Sequence, residues 1–221
     1  MLRLVLASRS PARLATLRAA GVEPLVRVSG VDEDAVLRDA AAQRGGLLDP
    51  VDAVLVLARA KAEEVVRALA ADAAPVVGAD DALLLVGCDS MLELDGEVLG
   101  KPADADDARA RWHAMRGRAG VLHTGHWLVD LRSGAASGPG TAVGGTSSTT
   151  VHFADLSDEE IDAYVATGEP LHVAGAFTVD GLGGPYVERI EGDHHGVVGI
   201  SLPLLRSLLR ETGVAWHELR S

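Results

Sequence analysis

Cysteine is almost absent: Cys88 is the only one in 221 residues. That excludes an intrachain disulfide framework and fits a reducing compartment. Inside LLLVGCDSML the thiol reads as a small buried hydrophobe, with a nucleophile as the rarer alternative. Aromatic residues make up only 3% of the chain. The core must therefore be aliphatic, and a base-stacking surface for single-stranded nucleic acid is not provided. No apolar run reaches the roughly 18 residues of a membrane helix, and MLRLVLASRS is too short in its apolar part for a signal peptide. The expectation is a cytoplasmic protein with no membrane partner. Positive charge is scarce as well, with 20 Lys and Arg against 32 Asp and Glu, a net charge of -12. No basic stretch follows a phosphate backbone, so a nucleic acid polymer is not an expected partner. A small phosphate-bearing ligand remains open, because it needs only a few local cations.

Hydrophobic residues amount to 48%, and the length suits one domain spanning residues 1–221, with room for two lobes. LRLVLA at residues 2–7 reads as a strand, followed by Ser10 as a helix N-cap and Pro11 at the first helical position. Residues 22–31 read as a second strand ending in Val31-Asp32-Glu33, and residues 40–48 as a loop of small residues. Asp49-Pro50 opens a helix that runs to about Ala70 and carries Lys61. A strand over 82–94 leads into an Asp95-Gly96 hairpin, and a helix spans about 104–116. A strand over 121–131 precedes SGAASGPGTAVGGTSS, which reads as a loop or hairpin tip, and another strand covers 148–154. Ser157 and Glu160 have capping-box spacing. Residues 171–201 read as glycine-punctuated strands and turns, and a last helix starts near Pro203. Interleaved strands and helices make the class α/β.

Four stretches carry chemistry. Ser8-Arg9-Ser10-Pro11-Ala12-Arg13 puts hydroxyls and guanidiniums at a helix N-terminus, which suits a polyphosphate. Taken alone it is also no more than an ordinary capped helix. Val31-Asp32-Glu33-Asp34 offers three carboxylates that suit Mg²⁺ or Mn²⁺, or simply form a solvated acidic turn. In GCDSMLELDGEVLGKP, residues 87–102, a carboxylate sits in an apolar strand, where an unpaired charge is costly. The Asp-Gly turn pairs Leu94 with Glu97 and, counted back, sets Lys101 opposite Ser90 and close to Asp89. That is either a site or a structural ion pair. The fourth is AGAFTVDGLGG at 174–184 with VERIEGD at 187–193, whose glycines let backbone approach a flat ligand. His123, His126, His194 and His195 read as structural or solvent-facing.

In this order the stretches resemble one family, the Maf nucleoside triphosphate pyrophosphatases. Leu6-Ala7-Ser8 through Arg13 is similar to its LASxSPRR, Val31-Asp32-Glu33 to its VDE, and Lys61-Ala62 to its helical KA. Gly87 to Ser90 is similar to its A-D-T strand, and Gly100-Lys101-Pro102 to its GKP. Residues 174–184 and 187–202 are similar to its AGAYxIQGxG and VERIxGDxxNVVGLPL. The resemblance implies a two-lobed α/β fold around a long, bent mixed sheet, with the site in a central cleft, as in the inosine-triphosphate pyrophosphatases. It implies cleavage of a nucleoside triphosphate to monophosphate and pyrophosphate with a divalent cation, Mg²⁺ or Mn²⁺, and a role in clearing non-standard nucleotides. Carried over, Asp89 is the general base and, with Glu33, a metal ligand. Ser8, Ser10, Arg13, Lys61, Ser90 and Lys101 are phosphate-binding groups. A homodimer is a further family expectation. The sequence departs from the pattern at Ala12, Ser90, Gly120 and above all Asp180, which replaces the glutamine of IQG at a position that selects the base. An acidic side chain accepts from a base N–H but does not donate as an amide does, which leans toward a purine. A nucleotide-binding regulator of cell division with little turnover is the alternative.

Overall fold

A computed structural model describes residues 1–71, 82–132 and 140–220. The chain opens with β1 (Leu2–Ala7), whose last four residues are buried. Helix α1 (Pro11–Ala19) follows, with the Ser10 hydroxyl accepting from the Arg13 N–H and Pro11 in the first turn. Strand β2 (Leu25–Val26) is far shorter than the sequence alternation predicts. It pairs with Val5 and Leu6 at the sheet edge, and because β1 ends at Ala7, residues 28–31 have no partner in this parallel ladder.

The acidic turn and small-residue loop expected over 32–48 instead contain a helix, α2 (Glu33–Arg44). Asp32 caps it by accepting from the Ala35 N–H at 2.9 Å, Glu33 and Asp34 lie at the positive end of its dipole, and Gly45 closes it at φ 77°. No residue of α2 is fully buried, so no apolar stripe announces it. Helix α3 (Pro50–Ala71) has such a stripe, burying Ala53, Val54, Leu57, Ala58, Ala62 and Val65.

Strand β3 (Ala82–Leu94) turns through Asp95 and Gly96, both at positive φ, into β4 (Glu97–Leu99), with Leu94 opposite Glu97 as expected. Helix α4 (Ala105–Met115), strand β5 (Ala119–Asp130) and strand β6 (Ala142–Phe153) follow. The glycine-rich stretch is thus partly a strand: β6 pairs along β5 from Val129↔Ala142 to Ala119↔His152. Gly144 is needed there for packing, because a Cβ would lie 2.3 Å from the Trp127 ring. The rest of that stretch, 133–139, lies outside the described residues.

Helix α5 (Asp158–Ala166) has the capping box that Ser157 and Glu160 predict. Beyond it come short 3-10 turns, strand β7 (Val187–Glu191), helix α6 (His194–Val198) and helix α7 (Leu202–Glu211). So 171–201 contains turns, one strand and a short helix.

The sheet has seven strands in the order β2-β1-β3-β5-β6-β7, with β4 added to β3. β1 runs parallel to β2 and β3, and the other pairings are antiparallel. Mixed sheet and flanking helices make the α/β class. β3 spans two apolar regions, the first of them split into one cluster on each face of the sheet. Leu84, Val86 and Cys88 pack with Leu4, Leu6 and the buried leucines of α7, while Leu85 packs under α3. Leu92 and Leu94 belong to a second region holding Trp112, Phe153, Tyr164, Phe177 and Tyr186, five of the chain's seven aromatic residues. Trp112 meets Phe153 and Tyr164 edge-on with centroids 5.7 and 5.6 Å apart. The few aromatics therefore concentrate at one end of β3.

Candidate active site

β1 leaves β3 at the pair Ala7↔Gly87, and β4 joins it at Leu92↔Leu99. Residues 88–91 therefore have β5 on one side and no strand on the other. This gap, at the carboxyl end of a parallel strand, is the type of crevice in which α/β sheets take their ligands. It also lies between the two apolar regions.

On one face of the gap stands Asp89, opposite Gly125 of β5. α3 crosses this face very closely. A Cβ on Gly87 would lie 2.3 Å from the Ala58 carbonyl oxygen, and one on Gly125 would lie 2.3 Å from that of Val54. Because both positions lack a side chain, the helix backbone rests on the sheet, and Lys61 reaches Asp89 with Nζ 2.5 Å from Oδ1. The same ammonium lies 2.8 Å from Glu33 Oε1 at the first turn of α2. Lys61 and Asp89 are almost enclosed, with 13% and 11% of their side chains exposed, whereas Glu33 is 54% exposed and opens to solvent.

Burial pushes the Asp89 carboxyl above its ordinary range, against the opposing pull of Lys61 and Arg13. For Glu33 partial burial also raises the value, but the Lys61 hydrogen bond and the charges of Lys61, Lys101 and Arg13 outweigh it and hold the group low. The two neighbouring carboxylates are thus shifted in opposite directions, the enclosed one upward.

The other face carries a hydrogen-bonded network. Arg13 donates from Nη1 to Ser8 Oγ and to the Cys88 carbonyl, from Nη2 to Ser90 Oγ, each at 3.0 Å, and from Nε to the Gly199 carbonyl at 2.7 Å. Four of its five N–H groups are engaged. Ser90 is 2.9 Å from Thr124 Oγ1, which donates to the Gly196 carbonyl. Thr124, unmarked by any sequence motif, is therefore part of the site's framework. Ser10 spends its hydroxyl on the helix cap.

Two expectations need correction. Lys101 is not the partner of Asp89: the β3–β4 ladder stops at Leu92↔Leu99, Ser90 pairs with Thr124 of β5, and Lys101 is exposed beyond the ladder, near enough to act on Glu33. The three carboxylates of residues 32–34 do not converge, because Asp32 caps α2 and only Glu33 turns toward the gap. Asp180 lines a groove of about 320 Å³ between α1 and α6, beside His194 and His195. Its loop is pinned by Glu169, whose carboxylate accepts from Tyr164 Oη, Thr178 Oγ1 and the Leu182 and Gly183 N–H groups.

The histidines are structural. His123 bridges Glu93 and Ser148. Burial holds the pKa of His126 down to about 4, so its ring is neutral, with Nε2 accepting from the Ser201 N–H. Cys88 is fully buried and its thiol is pushed up to about 11. Titration of the native protein with a thiol-reactive disulfide at pH 8 should leave it unmodified, with one equivalent reacting only after unfolding in denaturant.

A gapped mixed sheet with a lysine-bridged carboxylate pair on one face and a buried arginine network on the other defines an α/β protein with a charged site at the sheet gap. A family model described as Maf-like protein matches residues 3–212, and the chain belongs to that family. It is 58% identical over 210 residues to a nucleoside triphosphate pyrophosphatase of Salinispora tropica, covering 95% of this chain and 84% of that one. It is 55% identical to the protein of the same name from Rhodococcus jostii over 219 residues, or 99% and 96% of the two chains. A Streptomyces coelicolor protein of that name is 53% identical over 217 residues, 98% and 94% of the two. Among the described residues, no helix is long and apolar enough to cross a membrane.

Proposed function

We propose that this protein is a nucleoside triphosphate pyrophosphatase, a hydrolase of acid anhydrides that releases a nucleoside monophosphate and pyrophosphate. The observation that carries the proposal is the enclosed Asp89 held by Lys61 at the sheet gap. Water attacking the α-phosphorus must lose a proton, and the triphosphate must be neutralised as charge shifts to the departing pyrophosphate. Asp89 takes the proton: its raised basicity suits that role, and the ammonium of Lys61 orients it. Lys61 and Lys101 face the phosphate charge. Arg13, Ser8, Ser10 and Ser90 form the cradle under the loop, with the remaining N–H of Arg13 available to a phosphate oxygen.

A divalent cation fits the donor set in one specific way. Among the described residues no group of three or more His, Cys, Asp or Glu side chains is placed to hold a metal. Glu33 and Asp89 supply two oxygen donors, and Mg²⁺ commonly completes its shell with substrate phosphates and water. Glu33 and Asp89 would hold it, and it would supply charge neutralisation at the phosphates. We further assign base selection to Asp180, whose groove is bounded by α1 and α6, the elements on either side of the Arg13–Gly199 hydrogen bond, cytoplasmic location on the strength of the lone buried thiol, and assembly as a homodimer. The two apolar regions along β3 are the cores of its two lobes.

Pyrophosphate release from dTTP, UTP, GTP and 7-methyl-GTP, with Mg²⁺, with Mn²⁺ and with chelator, tests the proposal. Metal-dependent release of pyrophosphate is the expected result, with the purines preferred. Release of single phosphates would place the attacked phosphorus wrongly. Binding without turnover would make the protein a nucleotide-binding regulator.

The raised Asp89 value fixes a pH dependence. The base acts only when ionised, so kcat/KM should rise with pH through a value above that of a free aspartate and fall on acidification. The stability contribution has the opposite direction: a carboxyl whose folded value is raised stabilises the fold in its protonated form, and this is lost as pH rises through the folded value. Rate profiles and thermal melts over the same pH range check both signs.

A further inference from the structure

The nucleotide-handling cleft uses none of the residues around a second concavity, at the far end of α7. This space of about 620 Å³ lies between the last two turns of α7, the loop 213–215 and the closing 3-10 turn Trp216–Leu219. Arg206, Arg210 and Arg220 line it together with His217 and Trp216, and among the described residues no carboxylate does. We propose that it is a second anion site, which takes a phosphate-bearing small molecule of nucleotide size.

Three arginines without an ion pair among the described residues gather around this one concavity. The chain carries 32 acidic against 20 basic residues, so an arginine readily finds a carboxylate. Among the described residues nine of the 18 arginines do so, for example Arg18 with Glu23, Arg44 with Asp52 and Arg132 with Asp130, and of the other nine three share this one space. The guanidiniums of Arg206, Arg210 and Arg220 form no ion pair or hydrogen bond among the described residues. Arg206 and Arg210 stand one helical turn apart on the same face, where like charges repel.

They are not needed to cap the helix either. The carbonyls of Leu208, Leu209 and Arg210 accept from the N–H groups of Thr212, Gly213 and Val214, and the Thr212 carbonyl accepts from Arg132. The three guanidiniums are therefore free to turn to a ligand. Guanidinium forks match phosphate oxygens two at a time. Trp216 is half-buried against the apolar region of α7 and lines the same space, offering an aromatic surface to a base. The volume lies within the range of small-ligand pockets, roughly 300–1,000 Å³. Phosphate on the arginines with a base on Trp216 describes a nucleotide, and the phosphate part alone describes pyrophosphate.

The test is a tryptophan-fluorescence titration of the full chain, in chelator, with inorganic pyrophosphate and with ADP. Wild type is compared with Arg206→Ala/Arg210→Ala, with Arg206→Lys/Arg210→Lys and with Trp216→Phe, and calorimetry is run alongside. Saturable binding is expected for wild type, weakened about tenfold or more in the alanine double variant and partly retained in the lysine one. ADP should bind more tightly than pyrophosphate, and Trp216→Phe should erase that difference. Turnover at the cleft and the melting temperature should be unchanged in the alanine variant. Equal binding by wild type and the alanine variant would overturn the proposal, because the cleft would then be the site detected. No saturation up to about 1 mM, or binding of an RNA oligonucleotide alone, would overturn it as well.

Discussion

Asp89→Asn should lower kcat by about 10²–10⁴-fold, the usual contribution of a positioned general base, while leaving the fold in place. The substitution is nearly isosteric and keeps an oxygen that accepts from Lys61. It removes only the charge that burial disfavours. Lys61 also retains Glu33 at 2.8 Å, so its ammonium is not stranded. The melting temperature at pH 8 should therefore equal or exceed that of wild type. Single-turnover rates with a nucleoside triphosphate, read beside thermal melts, separate the two effects. Wild-type turnover in this variant would remove Asp89 from the mechanism. A collapsed melting temperature would instead make the Lys61–Asp89 pair a structural ion pair.

Gly125→Ala should be costly at a distance from any reacting atom. Its new Cβ would lie 2.3 Å from the Val54 carbonyl oxygen, 2.4 Å from that carbonyl carbon and 2.7 Å from the Leu55 nitrogen. All three are helix backbone, which cannot swing aside as a side-chain tip can, so α3 must lift from the sheet. A loss of about 3 kcal/mol follows from overpacking of this kind. For a chain of this length that is a fall of about 10 °C in Tm. Because α3 carries Lys61, the lift also opens the pair with Asp89, so kcat should fall below what the loss of folded protein explains. Gly46→Ala is the control: nothing lies within 4 Å of a Cβ there, and both readouts should stay at wild-type values. An unchanged melting temperature in Gly125→Ala would mean that α3 does not rest on the sheet as described.

How much of this was legible in the sequence depended on how local the cause was. Ser10-Pro11, Asp95-Gly96 and the Ser157–Glu160 box each act within four residues of chain, and each forms the structure its pattern predicts. β2 failed because a strand's length is set by its neighbour, and β1 stops at Ala7. α2 was hidden because it buries no full apolar stripe, although Asp32 and Gly45 mark its two ends. The strand within the glycine-rich stretch was hidden because glycine there accommodates a tryptophan ring rather than a turn.

The candidate site divides in the same way. Stretch by stretch, Ser8, Arg13, Glu33 and Asp89 read equally as an ordinary cap, an acidic turn or an ion pair, and a phosphate site is implied only by the resemblance of the stretches together. Their order along the chain suffices for the family. Which of them meet is a different matter. Lys61 is 28 residues from Asp89 in sequence and Lys101 only 12, yet Lys61 forms the pair. That choice belongs to Gly87 and Gly125, which let α3 descend onto the sheet, and to a ladder that ends before Lys101 can cross to Asp89. By itself the sequence determined the α/β class, most helix and strand ends and the chemical character of the site. The tertiary structure alone decided the partners, because close approach depends on what two distant segments leave out as much as on what they carry.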